Sequence, residues 1–121
     1  MNDDAGRFAY NGLDRVLHEK ARLGILTSLY THIEGLTFND IKSLCSLTDG
    51  NLSRHLQVLE REDLVVTVKE TGSGRPQTTC FLTDSGRQRY LEYLEELQAV
   101  LKAVAEQEQQ TRRLRHGLNP T

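Results

Sequence analysis

The sequence predicts a mostly α-helical fold with one small β-hairpin. Over most of the 121 residues, apolar side chains recur every three or four positions, which is the spacing of amphipathic helices. One stretch, residues 64–82, instead carries two runs of strand-forming residues around the glycine-rich turn TGSGRP. After residue 83 the apolar spacing becomes that of a helical seam. The length suits a single domain.

Composition and charge are those of a folded protein and argue against a general polyanion binder. Hydrophobic residues make up 37% of the chain, charged residues make up 26%, and the formal net charge is -2. The apolar content is slightly lean, which favours a core shared with a partner subunit. The negative charge argues against a histone-like protein, although a few well-placed cations can still contact DNA.

Features that would direct the chain to a membrane or an oxidising compartment are missing. The acidic start, MNDDAGRFAYNG, lacks the apolar core of a signal peptide, and no apolar run approaches the ~20 residues that span a bilayer. Cys45 and Cys80 lie far apart and outside any CxxC pattern, so we expect two small buried side chains rather than a disulfide. These features predict a cytoplasmic location without a membrane partner.

The first third of the chain is predicted to be a flexible arm, residues 1–11, followed by helix from Leu13. A break near Glu19 and Lys20 would divide this helix into two. Gly35 follows the last apolar residue and suits a left-handed helix stop. The inward stripe is predicted to comprise Leu13, Val16, Leu17, Leu23, Ile25, Leu26, Leu29, Tyr30 and Ile33.

Two further helices are predicted between residues 37 and 63. Thr37 and Asp40 have the spacing of a capped helix start, and the helix that follows covers about residues 39–45. Thr48 is a good N-cap for a longer helix that reaches about Asp63. The buried face of the shorter helix is predicted to comprise Phe38, Ile41, Leu44 and Cys45.

A β-hairpin and a long final helix complete the prediction. Thr83 with Asp84 caps a helix over about residues 84–110, whose apolar positions alternate by four and three. This seam comprises Tyr90, Leu94, Leu97, Leu101 and Val104. The domain is predicted to cover residues 12–104, with the helix end and a basic tail in 105–121.

This order of elements matches a winged helix-turn-helix with a long C-terminal dimerisation helix. In that fold the second compact helix enters the DNA major groove. At about 100° per residue, Leu52, Leu56 and Leu59 cluster on one side of the helix that begins near Thr48. The opposite side carries Gly50, Arg54, Gln57 and Arg61, with Asn51 and Ser53 on its flanks.

The polar side of this helix has the residue types that recognise bases. Asn and Gln can pair with adenine and Arg with guanine, but polar residues also cover any solvated helix. Arg75 at the hairpin tip, with Lys69 before it, can enter the minor groove or contact phosphate; alone it would be an ordinary turn residue. The predicted DNA-contacting residues are Lys42, Thr48, Gly50, Asn51, Ser53, Arg54, Gln57, Lys69 and Arg75.

Three segments together resemble a known family. LSRHLQVLEREDLV is similar to the recognition-helix signature of ArsR/MarR-type winged-helix transcriptional regulators. LDRVLHEKARLGILTSLY resembles their opening helices, and GRPQTTCFLTDSGR resembles their wing and the entry to the last helix. The likeness covers roughly residues 13–104 and is closest to small single-domain bacterial members. It implies a homodimer that pairs through the terminal helix.

Two departures from the family pattern affect the DNA-facing region. Asp63 replaces the usual glycine before Leu-Val, but Asp tolerates the left-handed backbone that this turn requires. Asp49 places a negative charge near the predicted DNA face, where it can accept from cytosine, stabilise the helix start or weaken phosphate contact. Residues 36–87 contain six Lys/Arg and seven Asp/Glu, a net charge of -1 that argues against DNA binding.

No metal, cofactor or catalytic pattern is evident in the sequence. His18, His32, His55 and His116 lack ligand spacing, and no phosphate loop or nucleophile elbow occurs. His55, between the core and polar sides of its helix, suits packing or hydrogen bonding better than metal binding. We therefore predict no enzyme, no metal and no cofactor.

Two functions remain in competition at this point. The first is a homodimeric, sequence-specific DNA-binding transcriptional regulator on a near-palindromic operator, with double-stranded DNA and a second copy as partners. The second is a winged-helix protein-interaction module without DNA binding, which the net charge of -1 favours. A small-molecule effector of unknown identity stays open, and a dimer could hold it between the terminal and N-terminal helices.

Overall fold

The computed structural model describes residues 4–72 and 74–118 of the chain, with the side chain of Leu118 outside the description. In this part of the chain, three helices and three short strands precede one long terminal helix. The elements are α1 (Lys20–Tyr30), β1 (Leu36–Thr37), α2 (Phe38–Cys45), α3 (Asp49–Arg61), β2 (Val65–Glu70), β3 (Gln77–Leu82) and α4 (Asp84–Leu118). The predicted fold class, mostly α-helical with a hairpin wing and a long C-terminal helix, is confirmed.

The three strands form one antiparallel sheet in the order β1-β3-β2. The predicted hairpin pairs Val65 with Leu82 at its base and Glu70 with Gln77 near its tip. β1 adds a third strand that the sequence analysis did not predict, with Leu36 opposite Cys80. Two residues are too few for an alternating pattern, so this strand has no sequence signature.

The hydrophobic core lies between α1, α2, α3, the inner face of the sheet and the first turns of α4. The buried apolar residues are Leu17, Ile25, Leu26, Leu29, Leu36, Ile41, Leu52, Leu56, Leu59, Leu64, Val65, Cys80, Tyr90 and Tyr93. The buried leucines of α3 therefore hold this helix against the domain by its inner side, and the opposite side faces outward.

Local signals position the turns that surround α3. The Thr37 hydroxyl accepts from the N–H of Asp40, and the Thr48 hydroxyl accepts from the N–H of Asn51. Ser46 and Asp63 adopt left-handed backbone, with φ of 54° and 57°. The predicted N-caps and the tolerant turn at Asp63 are confirmed, so both ends of α3 are defined by short-range chemistry.

Two close approaches require glycine. A Cβ at Gly86, in the first turn of α4, would lie 2.2 Å from the carbonyl oxygen of Leu64. A Cβ at Gly35 would lie 2.5 Å from the Phe81 ring, and Gly35 also has a φ of +91°. Gly35 therefore allows the chain to turn between α1 and β1 directly under the sheet.

The helix predicted from Leu13 is wrong for residues 13–19, which form turns. The Asp14 carboxylate accepts from the N–H of Val16 at 2.9 Å, and such local bonds compete with helical ones. The Glu19 carboxylate caps α1 by accepting from the second and third N–H groups that follow it. Leu13 and Val16 still pack on the core. Their apolar spacing therefore predicted burial correctly, although these residues are not helical.

Two apolar residues do not lie where helical spacing predicted them. Ile33 is 78% exposed because α1 ends at Tyr30 and the chain has already turned. Leu44 is 59% exposed, since it borders an open groove between α1 and the end of α2 instead of the core. The last helix also runs beyond the predicted end near residue 110, to Leu118.

Candidate nucleic-acid interface

The outward side of α3 carries the predicted recognition residues. Gly50, Asn51, Arg54 and Gln57 are all exposed, and a Cβ at Gly50 would meet open space. Ser53, on the flank of this side, is exposed as well. The structure thus gathers these five predicted residues on one helix, with the N-terminal end of that helix freely accessible.

Two of the recognition candidates are already joined. The Arg54 guanidinium donates from Nη2 to Oδ1 of Asn51 at 2.8 Å. This i, i+3 bond orients the guanidinium along the helix surface and lowers the entropy lost when it meets a partner. One turn further along, Arg61 donates from Nε to the carbonyl oxygen of Gln57 at 3.3 Å. The polar side of α3 is therefore a partly ordered surface.

The N-terminal end of α3 combines a cap with an ion pair. Thr48, predicted to contact DNA, has its hydroxyl at the helix start because it caps the helix. Lys42, in the last turn of α2, extends Nζ to within 2.8 Å of Oδ1 of Asp49. Lys42, a predicted phosphate contact, is thus paired with Asp49, the acidic residue that departs from the family pattern.

The wing presents the other two predicted cations. Lys69 lies opposite Thr78 near the end of the hairpin, and both Lys69 and Arg75 are exposed. Arg75 follows Gly74, whose φ is 131°, in the tip between the strands. Ser73 in the same tip lies outside the described residues. The predicted contacts therefore lie on the wing as well as on α3 and the end of α2.

A polar groove between the wing base and the start of α2 was not predicted. It is lined by Thr37, Phe38, Asn39, Pro76, Gln77 and Thr78. Neutral amides and hydroxyls of this kind bind phosphate oxygens without adding positive charge. No local sequence pattern predicts this groove, because the wing base and α2 are far apart along the chain.

A partly buried network of polar contacts joins the middle of α3 to α1. His55 Nδ1 lies 3.3 Å from Nη1 of Arg22 and 3.7 Å from Oε2 of Glu19. Burial raises the pKa of Glu19, but the N–H groups of Arg22 and Ala21 and the Arg22 guanidinium outweigh it, so the net pKa is lowered. The hydrogen-bonding role predicted for His55 agrees with this geometry.

A second network attaches the end of α3 to α4 and to the N-terminal segment. Arg89 on α4 donates from Nη2 to Oδ1 of Asp14 at 3.1 Å, and its Nη1 lies 3.0 Å from Oε1 of Glu62. The hydrogen bond from Arg89 holds the pKa of the Asp14 carboxyl below its usual range. Three distant segments thus meet at one guanidinium, which a pattern of nearby residues could not reveal.

Within residues 4–72 and 74–118 no cluster of three His, Cys, Asp or Glu side chains could hold a metal ion. Burial raises the pKa of the Cys80 thiol to about 11, and burial also raises the pKa of Cys45. Both cysteines are free thiols. Across the described part of the chain, no helix is long and apolar enough to cross a membrane.

Comparison with known proteins assigns the fold to a family. Residues 21–101 match the winged helix DNA-binding domain family, and the chain belongs to this family. An uncharacterized protein of Methanocaldococcus jannaschii is 34% identical over 90 residues, which cover 74% of this chain and 97% of that protein. The resemblance to winged-helix transcriptional regulators is therefore confirmed.

Solved structures of regulators share the architecture. A transcriptional regulator homologue from Pyrococcus horikoshii is 35% identical, with a TM-score of 0.70, over 75% of this chain and 89% of that one. The S. aureus MepR–DNA complex is 23% identical with a TM-score of 0.66, over 96% of this chain and 93% of that one. NadR in complex with 4-hydroxyphenylacetate is 23% identical with a TM-score of 0.59, covering 94% and 84% of the two chains. The last two show a common fold.

Proposed function

We propose that the chain is a sequence-specific DNA-binding transcriptional regulator that acts as a homodimer on a near-palindromic operator. The observation that carries this proposal is the exposed side of α3, where Asn51, Arg54 and Gln57 stand around an open helix start. The family is a DNA-binding one, and its fold uses this helix in the major groove. This surface supports a binding protein and not an enzyme.

In this proposal the exposed residues divide into two groups. Asn51, Arg54 and Gln57 contact base edges, since their amide and guanidinium groups match adenine and guanine. The phosphate backbone or minor groove is contacted by Thr48, Ser53, Lys69 and Arg75, whereas Lys42 faces the same backbone but is paired with Asp49. Gly50 contributes clearance, because any larger side chain there would stand between the helix start and the duplex.

The far part of α4 supports the proposed dimer. Tyr90 is buried in its own subunit, where its hydroxyl lies 2.8 Å from Oγ1 of Thr27, so the proposed interface begins at Leu94. Leu101 and Val104 are 62% and 63% exposed at the next seam positions. Exposed apolar residues at seam spacing on a helix this long favour pairing with a second copy.

An antiparallel pairing of two α4 helices would bring these exposed residues together. With the two-fold axis between residues 102 and 103, Leu101 meets Val104 of the partner subunit. Leu94 and Leu97 then lie opposite Thr111 and Glu108 of the partner subunit, so the apolar contact in this arrangement is confined to the middle of the pairing.

We also propose that the regulator responds to a small-molecule effector of unknown identity. NadR was solved with 4-hydroxyphenylacetate, so this fold can hold an aromatic acid. In the present chain an open groove runs between α1 and the end of α2, and Leu23, Thr27, Leu44 and Cys45 are among its lining residues. In the proposed dimer, this is where a screen for effectors should look first.

Selection of genomic fragments by the purified protein at near-physiological salt tests the proposal. An enriched palindrome with half-sites about one helical turn apart, ~10 bp or a multiple, is the expected result. Affinity for it should fall steeply as salt rises, because phosphate contacts release counterions. A folded dimer that enriches no sequence, with or without a ligand panel, would contradict the proposal.

The net charge of -1 over residues 36–87 favours a second candidate, a winged-helix protein adaptor. The two candidates differ at Arg54 and Arg75. A DNA-binding regulator should lose duplex affinity when either arginine becomes alanine, whereas an adaptor need not bind duplex at all. Duplex binding with a flat salt dependence would also favour the adaptor, since it would lack phosphate contacts.

A further inference from the structure

Lys42 and Asp49 form an ion pair across the turn between α2 and α3. The Nζ to Oδ1 distance is 2.8 Å, and the two side chains are 36% and 75% exposed. Lys42 lies in the last turn of α2 and Asp49 in the first turn of α3, so each charge lies where the helix dipole favours it. Both helix dipoles therefore favour this ion pair in the protein without DNA.

The position of the pair matters because the start of α3 approaches the duplex first. A phosphate that reaches Lys42 must displace the Asp49 carboxylate or share the ammonium group with it, and in both cases the carboxylate repels the phosphate. Exposed ion pairs contribute little free energy, so the exchange is feasible, but it offsets part of the gain from the new contact. In the region from β1 to the start of α4, Lys42 is one of six cations. Withholding it therefore removes a sizeable fraction of the positive charge that phosphates could contact.

We propose that Asp49 limits the affinity of this protein for DNA by withholding Lys42 from the phosphate backbone. This inference rests on the proposed function of α3 as the recognition helix. Asp49 thereby restricts the sequence-independent share of binding, which phosphate contacts supply, and leaves the base contacts of Arg54 and Asn51 in place. The net charge of -1 over residues 36–87 then weakens sequence-independent binding and thereby increases selectivity for the operator.

The test compares Asp49→Asn with wild type on the selected operator and on a scrambled duplex, from 50 to 200 mM salt. Thr48 remains the N-cap of α3 in this variant, so the substitution removes the charge of Asp49 and keeps the cap. We expect tighter binding and a slope of log K against log salt that is steeper by about 0.9, the value of one phosphate contact. Over that salt range one such contact changes affinity by about threefold. A merely structural role for Asp49 predicts the opposite sign, a loss of affinity.

Two control variants isolate the pair. Glu60→Gln makes the same change in net charge on the same flank of α3, about three turns further along, and should leave the slope unchanged. Lys42→Gln should have nearly the wild-type slope, and Asp49→Asn should add nothing in that background.

The outcomes separate this inference from the function beneath it. An unchanged slope in Asp49→Asn, or a gain that persists without Lys42, would overturn the inference and leave the recognition role of α3 intact. A wild-type protein that binds neither duplex would overturn the proposed function together with this inference.

Discussion

At the scale of single residues, short polar side chains determine where α3 begins and ends. Thr48 satisfies an N–H group at its start, and Asp63 takes the left-handed backbone just past its end. Both features were predicted because capping and left-handed turns depend on a few neighbouring residues. Asp14 and Arg89, separated by most of the chain, carry no such signal, and their contact appears only in the folded structure.

The cap at Thr48 should have a measurable effect on stability. Thr48→Ala removes the acceptor of the Asn51 N–H and is expected to lower the free energy of unfolding by about 1 kcal/mol. Ser53→Ala, at an exposed position inside the same helix, is the matched control and should change it by less than about 0.5 kcal/mol. Urea unfolding of the two variants measures the difference, and equal values would contradict the assigned cap.

The pH dependence of stability should report the Asp14 contact. Because the folded-state pKa of Asp14 is depressed below 3.8, its contribution is fully present above the unfolded-state pKa and is lost as the pH falls through the folded-state value. The free energy of unfolding should therefore decline below about pH 4, and less so in Asp14→Asn. Glu19→Gln is the control for the other carboxyl with a lowered pKa. Identical acid profiles for wild type and Asp14→Asn would exclude this contribution.

At the scale of elements, periodicity predicted burial better than it predicted conformation. The hairpin and α3 combined a spacing pattern with clear turn or cap residues, and both were correctly placed. Residues 13–19 had the same apolar spacing, but the side chains of Asp14 and Glu19 bond to nearby N–H groups and keep this segment out of a helix. The two-residue strand β1 was too short to produce any pattern.

The terminal helix allows a direct test of the proposed dimer. Leu101→Glu puts a charge at the centre of the proposed seam and should weaken the dimer at least tenfold, since burying one leucine contributes about 1.5–3 kcal/mol. Helix content should not change, because Leu101 is exposed within its own subunit. Lys102→Glu, on the neighbouring exposed position, is the control and should leave the dimer intact.

Sedimentation equilibrium over a range of concentrations distinguishes the variants. A wild-type protein that is monomeric at micromolar concentration would contradict the seam, as would a Leu101→Glu variant that associates as tightly as Lys102→Glu. The charged substitution tests the interface independently of DNA binding, so the two parts of the proposal can fail separately.

At the scale of the whole molecule, one domain carries both the exposed polar side of α3, which is our proposed recognition surface, and the exposed apolar residues Leu101 and Val104 of α4. Arg89 joins these parts, because it contacts Glu62 at the end of α3 and Asp14 in the N-terminal segment. The position of α3 is thus mechanically tied to α4. In a dimer, the spacing between two recognition helices would follow from the pairing of the two α4 helices, and operator spacing would follow in turn.

The most direct test of the central claim is the affinity of Arg54→Ala for the selected operator and for its scrambled version. Arg61→Ala, about three helical turns from the open start of α3, provides a matched loss of one charge. We predict that Arg54→Ala loses about 1–3 kcal/mol on the operator and much less on the scrambled duplex, whereas Arg61→Ala weakens both by a similar factor. Equal losses for the two variants on both duplexes, or no loss for Arg54→Ala, would contradict sequence recognition by α3.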